Sequence, residues 1–446
     1  MNTPAVVIVG GGIAGISAAV HALERGWHPI LLERTAWLGG RARSVYARDI
    51  GRTIDNGQHV LSAGYRETRR LLQRLGSADL VRYQERLEIE FRLGLRRRFH
   101  FRSWLLPPPL HFWLPLLLKA PLTAGDRKFL WRWPLWRRSI SPATLKHLTV
   151  KEWLKEGGSA PLLPRLLWEP LTRATLNTTM EQASAYLLDQ VLRQAFLGTA
   201  RECGLGLPAV PLGKLFGEPG GRFLKQQGAT VRLRTGAAGL ALEQGRVTGV
   251  HTGEGEWIPA EAVILALPPE ALRRICGTTA GLAEALGRPV ERLVASPIIT
   301  FHFWLRRPLP LTAPTALIDS PVQWIFEIPS GEHLAADRIY GYTAVISAAG
   351  EEVEFSREQL QDLLEREIYG FFGKRLSEDL GLQALKIVKE KAATVLQSPE
   401  FLDIRPPVTT GIPNLFLAGD WIDTGLPATI ESAALSGRLA AERLPG

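Results

Sequence analysis

Residues 5–15 read AVVIVGGGIAG, and their reading decides the fold. AVVIV is apolar throughout and rich in β-branched side chains, the pattern of a strand buried on both faces. Gly10, Gly12 and Gly15 follow in G-x-G-x-x-G spacing, and ISAAVHALERG then reads as a helix ending at Gly26. A second strand, HPILLE, closes on Glu33, eighteen residues beyond Gly15. Strand, glycine turn, helix, strand and terminal acid together make a dinucleotide-binding unit. The glycines let backbone approach a pyrophosphate, the helix N-terminus answers its charge, and the acid accepts hydrogen bonds from ribose hydroxyls. A bare glycine-rich turn would not require Glu33. The candidate nucleotide contacts at this end are Gly10, Gly12, Ile13, Ala14, Gly15, Glu33 and Arg34.

Working outward, 446 residues amount to about three domains at ~150 residues each. A chain that is 46% apolar and 22% charged has an ordinary globular composition and can bury a large core. Two cysteines, Cys203 and Cys276, make no disulfide framework, and no Cys/His cluster suggests a metal, so a reducing, intracellular home is expected. The N-terminus lacks a basic segment and a small-residue cleavage site, and reads as a first strand, not a signal peptide. The net charge of +9 is concentrated: Phe91 to Arg138 holds eleven Lys/Arg against Asp126 alone, leaving the remainder near neutral.

Residues 38–44, LGGRARS, choose between the dinucleotides. A Gly-Gly-Arg placed shortly after such a unit resembles the FAD-binding start of the amine-oxidase and phytoene-desaturase superfamily. The resemblance implies that Gly39, Gly40 and Arg41 lie against the FAD phosphates, with Arg43 assisting. Residues 414–442, NLFLAGDWIDTGLPATIESAALSGRLAAE, resemble the same superfamily's closing segment. There Gly419 and Asp420 are implied to meet the ribityl chain, and Thr429 and Ile430 open a helix whose N-terminus favours negative charge on the flavin. Residues 228–269 alternate short strands with glycine turns, and the resemblance implies a backbone contact at Val231 beside the adenine.

The implied fold class is α/β: a Rossmann-like FAD-binding domain of the amine-oxidase/phytoene-desaturase type with an interleaved α+β substrate domain and a helical membrane-contacting region. The expected division is 1–75, 205–275 and 401–446 for the FAD-binding domain, 76–204 for the substrate and membrane-contacting helices, and 276–400 for the substrate domain. No second G-x-G-x-x-G stands between a strand and a helix, so electrons would come from or go to a diffusible nicotinamide, a quinone, oxygen or a protein partner.

Within the superfamily, IGRTIDNGQHVLSAGY (50–65) resembles the hydroxysqualene dehydroxylases, as do residues 211–229 and 424–441. That resemblance implies reductive removal of an allylic hydroxyl from a C30 isoprenoid. The chemistry asks for a proton donor, an apolar tunnel and hydride from reduced flavin. Asp55 and His59 are the candidate donors, and Asn56-Gly57 is equally the favoured dipeptide of a hairpin turn, which the two would flank. His251, His302 and His333 read as ordinary surface or strand histidines, and 276–400 holds no motif. The rival readings are a carotenoid desaturase and a non-catalytic prenyl-lipid escort on the same fold.

SWLLPPPLHFWLPLLLKAPL (103–122) has the hydropathy of a membrane span, but five prolines forbid one. Each interior proline costs a helix about 3 kcal/mol. Residues 110–120 reach only about 16 Å as a helix, roughly half of a ~30 Å hydrocarbon core. With Trp104, Trp113, Trp131, Trp133 and Trp136 interleaved among the cations, the region reads either as substrate-domain core or as a shallow dip into one leaflet. The dip is the expectation, on the inner face of the cell membrane of a cytoplasmic protein. No nucleic-acid module surrounds these residues, so nucleic acid is not an expected partner. TVKEWLKEGG (149–158) is expected to form a short amphipathic helix ending at Gly157-Gly158, and 162–196 to be largely helical.

Overall fold

Five parallel strands carry the N-terminal unit, in the order Thr230–Leu233, His28–Glu33, Ala5–Val9, Ala262–Leu265, Leu415–Leu417. The computed structural model describes residues 3–196, 198–328 and 339–445, so His333 lies outside the described residues. Three separated pieces of chain thus make one sheet. Its three inner strands are buried almost throughout, which is why they read as continuous apolar runs. The helix Ile13–Glu24 covers one face, and the C-terminal helix Ile430–Glu442 lies on it so closely that Ser17 Oγ donates to Ala434 O at 2.7 Å. Small residues on both helices permit that approach.

A seven-stranded mixed sheet forms the second layer system: Leu382–Val395, Ala295–Leu305, Tyr340–Ser347, Trp324–Glu327, Thr315–Leu317, Glu88–Leu93, Arg97–Arg102. Two of its strands come from the 76–204 segment, joined through a parallel pairing of Thr315–Leu317 with Glu88–Leu93. Alternation along Ala295–Leu305 sorts its faces. Ile299, Phe301, Phe303 and Leu305 pack under the helix Arg357–Phe372. Thr300, His302 and Trp304 face the other way, toward residues 47–57. Residues 276–400, which hold no motif, supply most of this wall.

The segment 103–196 is mainly helical: Leu110–Lys119, Ala124–Ser139, Pro142–His147, Val150–Glu156, a wide turn Pro164–Trp168 running into Glu169–Leu176, and Ala185–Phe196. The helix Leu110–Lys119 starts after the proline triplet and contains Pro115. No helix among the described residues is long and apolar enough to cross a membrane.

The tryptophans do not share one surface, which corrects the expectation for Trp133 and Trp136. Residues 129, 133 and 136 fall on the inner face of the helix Ala124–Ser139 at i, i+4, i+7 spacing. Trp133 is 1% exposed, with ring centroids 4.7 Å from Trp153 and 4.8 Å from Trp168. Trp131 and Leu135 occupy the opposite face, each 75% exposed.

Candidate active site

The first strand delivers Gly10 into a turn where nothing larger than glycine fits. A Cβ on Gly15 would stand 1.8 Å from Gly10 O, so strand and helix touch backbone to backbone. The helix Ile13–Glu24 then begins with no side-chain cap on Gly12 and no acid in its first turn, although Ile13 and Ala14 are buried. A buried helix start carries partial positive charge and asks for an anion. Glu33 ends the second strand with its carboxylate in the same turn, accepting from Gly11 N and Thr35 N at 2.8 Å each. Arg34, next to it, is exposed. Val231 pairs with Leu31 on the sheet's outer strand.

Gly39 bridges to Gly12, and Gly40 holds φ +61° with its missing Cβ position 3.0 Å from Gly12 Cα. The floor between them is bare backbone. Arg41 reaches across it to Asp420, Nη2 to Oδ1 at 2.5 Å, and its other terminal nitrogen donates to Ala393 O at 2.8 Å. Asp420, with Glu390 and Glu270 further off, raises the guanidinium's pKa against the opposing effect of burial. Arg43 donates to Gly40 O at 3.3 Å, while its Nε is buried without a partner among the described residues.

Asp420 follows Gly419 out of the strand Leu415–Leu417, and Thr429 caps the helix Ile430–Glu442. The acid in that helix's first turn, Glu431, is turned away. It accepts from Arg66 N, Glu67 N and Thr68 N at 2.8–2.9 Å, capping the helix Arg66–Leu75. The N-terminus at Thr429 and Ile430 is thereby left without a neutralising carboxylate of its own. Tyr65 hydrogen-bonds Thr429 from the side, and burial pushes its phenol up to about 12. The loop between Asp420 and Thr429 is pinned by two buried side chains that the sequence did not single out. Arg405 donates to Ile422 O and Leu426 O, burial pulling its pKa down to about 10, and Gln397 Oε1 accepts from Ala428 N at 2.8 Å.

The stretch Asp55–His59 does not make the hairpin turn that Asn-Gly suggests. The hairpin Ser44–Ala47/Arg52–Asp55 turns earlier, over residues 48–51, and 55–59 leaves its second strand. Side chains from remote segments hold the departing chain. Asp55 Oδ1 accepts from Ser44 Oγ at 2.6 Å and Leu212 N at 2.9 Å, and Asn56 donates to Glu390 at 2.9 Å. A Cβ on Gly57 would sit 3.6 Å from Thr300 Oγ1. His302 binds the Asp55 carbonyl at 3.0 Å, with its imidazole driven down to about 4 by burial. A strand histidine therefore fastens this stretch to the sheet.

His59 places Nδ1 3.0 Å from Gly57 O. A carbonyl only accepts, so Nδ1 carries the proton and Nε2 of the neutral ring is an acceptor. Burial first, and the Arg41 charge after it, lower the pKa of His59, while the Gly57 contact opposes them. The ring is thus held neutral: Nε2 can accept a hydrogen bond but takes up a proton less readily than a free imidazole.

Two helix N-termini, a backbone floor, a buried acid at a strand end and an unpartnered Arg43 Nε fit a dinucleotide carrying a diphosphate and a flavin. Comparison with known proteins points the same way. The flavin containing amine oxidoreductase family matches residues 13–445. Hydroxysqualene dehydroxylase from Rhodopseudomonas palustris is 31% identical over 444 residues, covering 98% of this chain and 97% of its own. The chain belongs to the flavin containing amine oxidoreductase family, in its hydroxysqualene dehydroxylase branch.

It is an FAD-dependent oxidoreductase. The 15-cis-phytoene desaturase of an Oncidium hybrid, 25% identical over 98% of this chain and 77% of its own, is a more distant relative. The crystal structure of an oxidoreductase from Methanosarcina mazei shares the fold, with a TM-score of 0.77 at 16% identity over 98% of this chain and all of the other. His302, Glu390 and Arg405 enter through packing. One sequence signal did exist for His302: polar Thr300 and His302 recur at period two inside the apolar run PIITFHFWL.

Proposed function

We propose that the protein removes the allylic hydroxyl of hydroxysqualene reductively, giving squalene. The observation that supports this most is the end-to-end likeness to a hydroxysqualene dehydroxylase at 31% identity, against 25% for a phytoene desaturase that the chain covers to 77%. When bound and reduced by an external donor, FAD would supply the hydride, the hydroxyl leaving with a proton as water. In this reading Gly10, Gly12, Ile13, Ala14 and Gly15 receive the diphosphate with Gly39, Gly40 and Arg41. Glu33, with Arg34 beside it, serves the ribose, and the Val231 backbone serves the adenine. Gly419 and Asp420 meet the ribityl chain. Thr429 and Ile430 present the helix end toward the flavin, where developing negative charge is favoured.

A polyprene offers no charge to grip, so affinity comes from apolar burial at about 0.8 kcal/mol per CH₂. The sheet face carrying Thr300 and His302 is the wall we assign to it, with Asp55 and His59 above. Given its neutral ring, His59 acts in this reading by accepting a hydrogen bond at Nε2 and relays a proton only after gaining one. Asp55 orients the chain through Ser44 and Leu212.

We assign membrane contact to the helices Leu110–Lys119 and Ala124–Ser139. Between them runs an apolar groove of about 170 Å³ lined by Leu110, Trp113, Leu117, Leu130 and Trp131, with exposed Leu105, Leu118 and Leu135 nearby. The +10 balance of residues 91–138 suits an anionic headgroup layer. The reading places the protein on one leaflet, at the inner face of the cell membrane, where its substrate dissolves.

The test is anaerobic incubation of the FAD-loaded protein with hydroxysqualene and a chemical reductant, followed by product identification. Squalene is expected. Turnover of phytoene with an electron acceptor, and none of hydroxysqualene, would transfer the protein to the desaturases. A chain that binds prenyl lipids without turning over either substrate would be an escort.

A further inference from the structure

On the dehydroxylase reading, the apolar wall must do one thing a desaturase wall need not: hold a hydroxyl group among hydrocarbon. Strand register identifies the side chains that share this wall. Thr300 pairs with Val345, and Val345 pairs with Trp324. In the next row His302 pairs with Thr343, and Thr343 with Phe326. Residues directly opposite one another project to the same face. Trp324 and Phe326 therefore stand on the face that Gly57 and Asp55 cover through Thr300 and His302. The opposite face is filled by the helix Arg357–Phe372, whereas Trp324, Phe326 and Val345 belong to the separate, main hydrophobic core. At ~4.8 Å per strand, Trp324 lies about 10 Å from Thr300, within the breadth of one isoprenoid chain and its pocket.

Trp324 is 8% exposed, and its Nε1–H has no hydrogen-bond partner among the described residues. Buried donors are nearly always paired, because an unpaired one loses its water without compensation. His302 and Thr343 on the same face are otherwise engaged: His302 Nε2 meets Asp55 O, and its Nδ1 lies 3.3 Å from Thr343 Oγ1. Three other indole N–H groups, on Trp133, Trp153 and Trp168, are also unpartnered, but they belong to the closed aromatic cluster of the helical segment. Trp324 is the one on the wall.

We propose that Trp324 determines specificity for the alcohol: its indole N–H donates to the oxygen of the substrate's allylic hydroxyl, while its ring lies stacked beside Phe326 at 6.0 Å between centroids. The contact requires a ligand that accepts a hydrogen bond at that point, and a hydrocarbon substrate cannot supply one. The inference rests on the dehydroxylase reading but is separable from it.

The experiment measures dissociation constants by perturbation of the flavin absorbance. Its ligands are the C30 alcohol, the corresponding ketone (an acceptor that cannot donate) and squalene, on the FAD-loaded wild type and Trp324→Phe. Wild type should bind alcohol and ketone about tenfold tighter than squalene, a difference of ~1.4 kcal/mol. In Trp324→Phe that preference should vanish with squalene affinity unchanged. If wild type turns the alcohol into squalene but Trp324→Phe keeps the full preference, Trp324 is not the contact and the function stands. A ketone that binds wild type no better than squalene overturns the assignment without any variant. If wild type neither prefers nor converts the alcohol, both proposals fall together.

Discussion

The nucleotide cleft and the sheet wall are built by opposite means. The cleft is largely backbone. Its glycine approaches and helix ends each come from a short local motif. The wall stretch Asp55–His59 is held by side chains: Asp55 to His302 spans 247 positions, and Asn56 to Glu390 spans 334. Local backbone geometry tolerates almost no substitution yet announces itself in sequence. Long-range side-chain bracing tolerates conservative exchange and stays silent.

The difference can be broken most sharply at Gly15. Gly15→Val drives a side chain into Gly10 O and should abolish FAD retention, read as loss of flavin absorbance from the purified protein. A yellow Gly15→Val protein would mean that the cleft has slack the structure does not show.

On the wall the effect should be smaller and dependent on pH. The His302 imidazole sits at about 4 in the fold against 6.5 for the free side chain. Between those values the unfolded chain binds a proton that the folded chain refuses. Stability therefore falls as pH drops from about 6.5 to 4, by up to roughly 3 kcal/mol from this group. His302→Gln, which still donates to a carbonyl, should flatten the slope of unfolding free energy in that window by denaturant titration. An unchanged slope would show that His302 is not what ties Asp55 down.

The smallest effect on stability is expected outside both regions. Trp131→Ser with Leu135→Ser removes two exposed apolar side chains and should shift unfolding by no more than about 0.5 kcal/mol. It should nevertheless lower binding to anionic liposomes severalfold in a flotation assay. Unaltered liposome binding would return the helical pair to a role other than membrane contact.

The same contrast explains what sequence made legible. Gly10 to Glu33, Gly39 to Arg41 and Gly419 to Ile430 were readable because each motif states its own geometry. That Arg41 would close on Asp420, 379 positions away, is a fact of tertiary packing. The Asn56-Gly57 pair misled because local turn preference lost to the side chains gripping its flanks. Trp131 and Trp133 looked alike in composition, and only the helical phase sent one to the surface and the other inward. The wall from 295 to 347 carried no motif, since its function lies in which face each residue presents.

Glu431 carries one more consequence. It sits in the first turn of the helix Ile430–Glu442, yet caps a helix begun by Arg66, 365 positions earlier. The glycine turn at Gly10 is translated about 400 residues before the strand Leu415–Leu417, the loop at Asp420 and this latch. A nascent chain that has not reached Leu415 therefore holds only half of the candidate cleft. Flavin capture then waits until Leu415 to Glu442 has left the ribosome and locked the first helices in place.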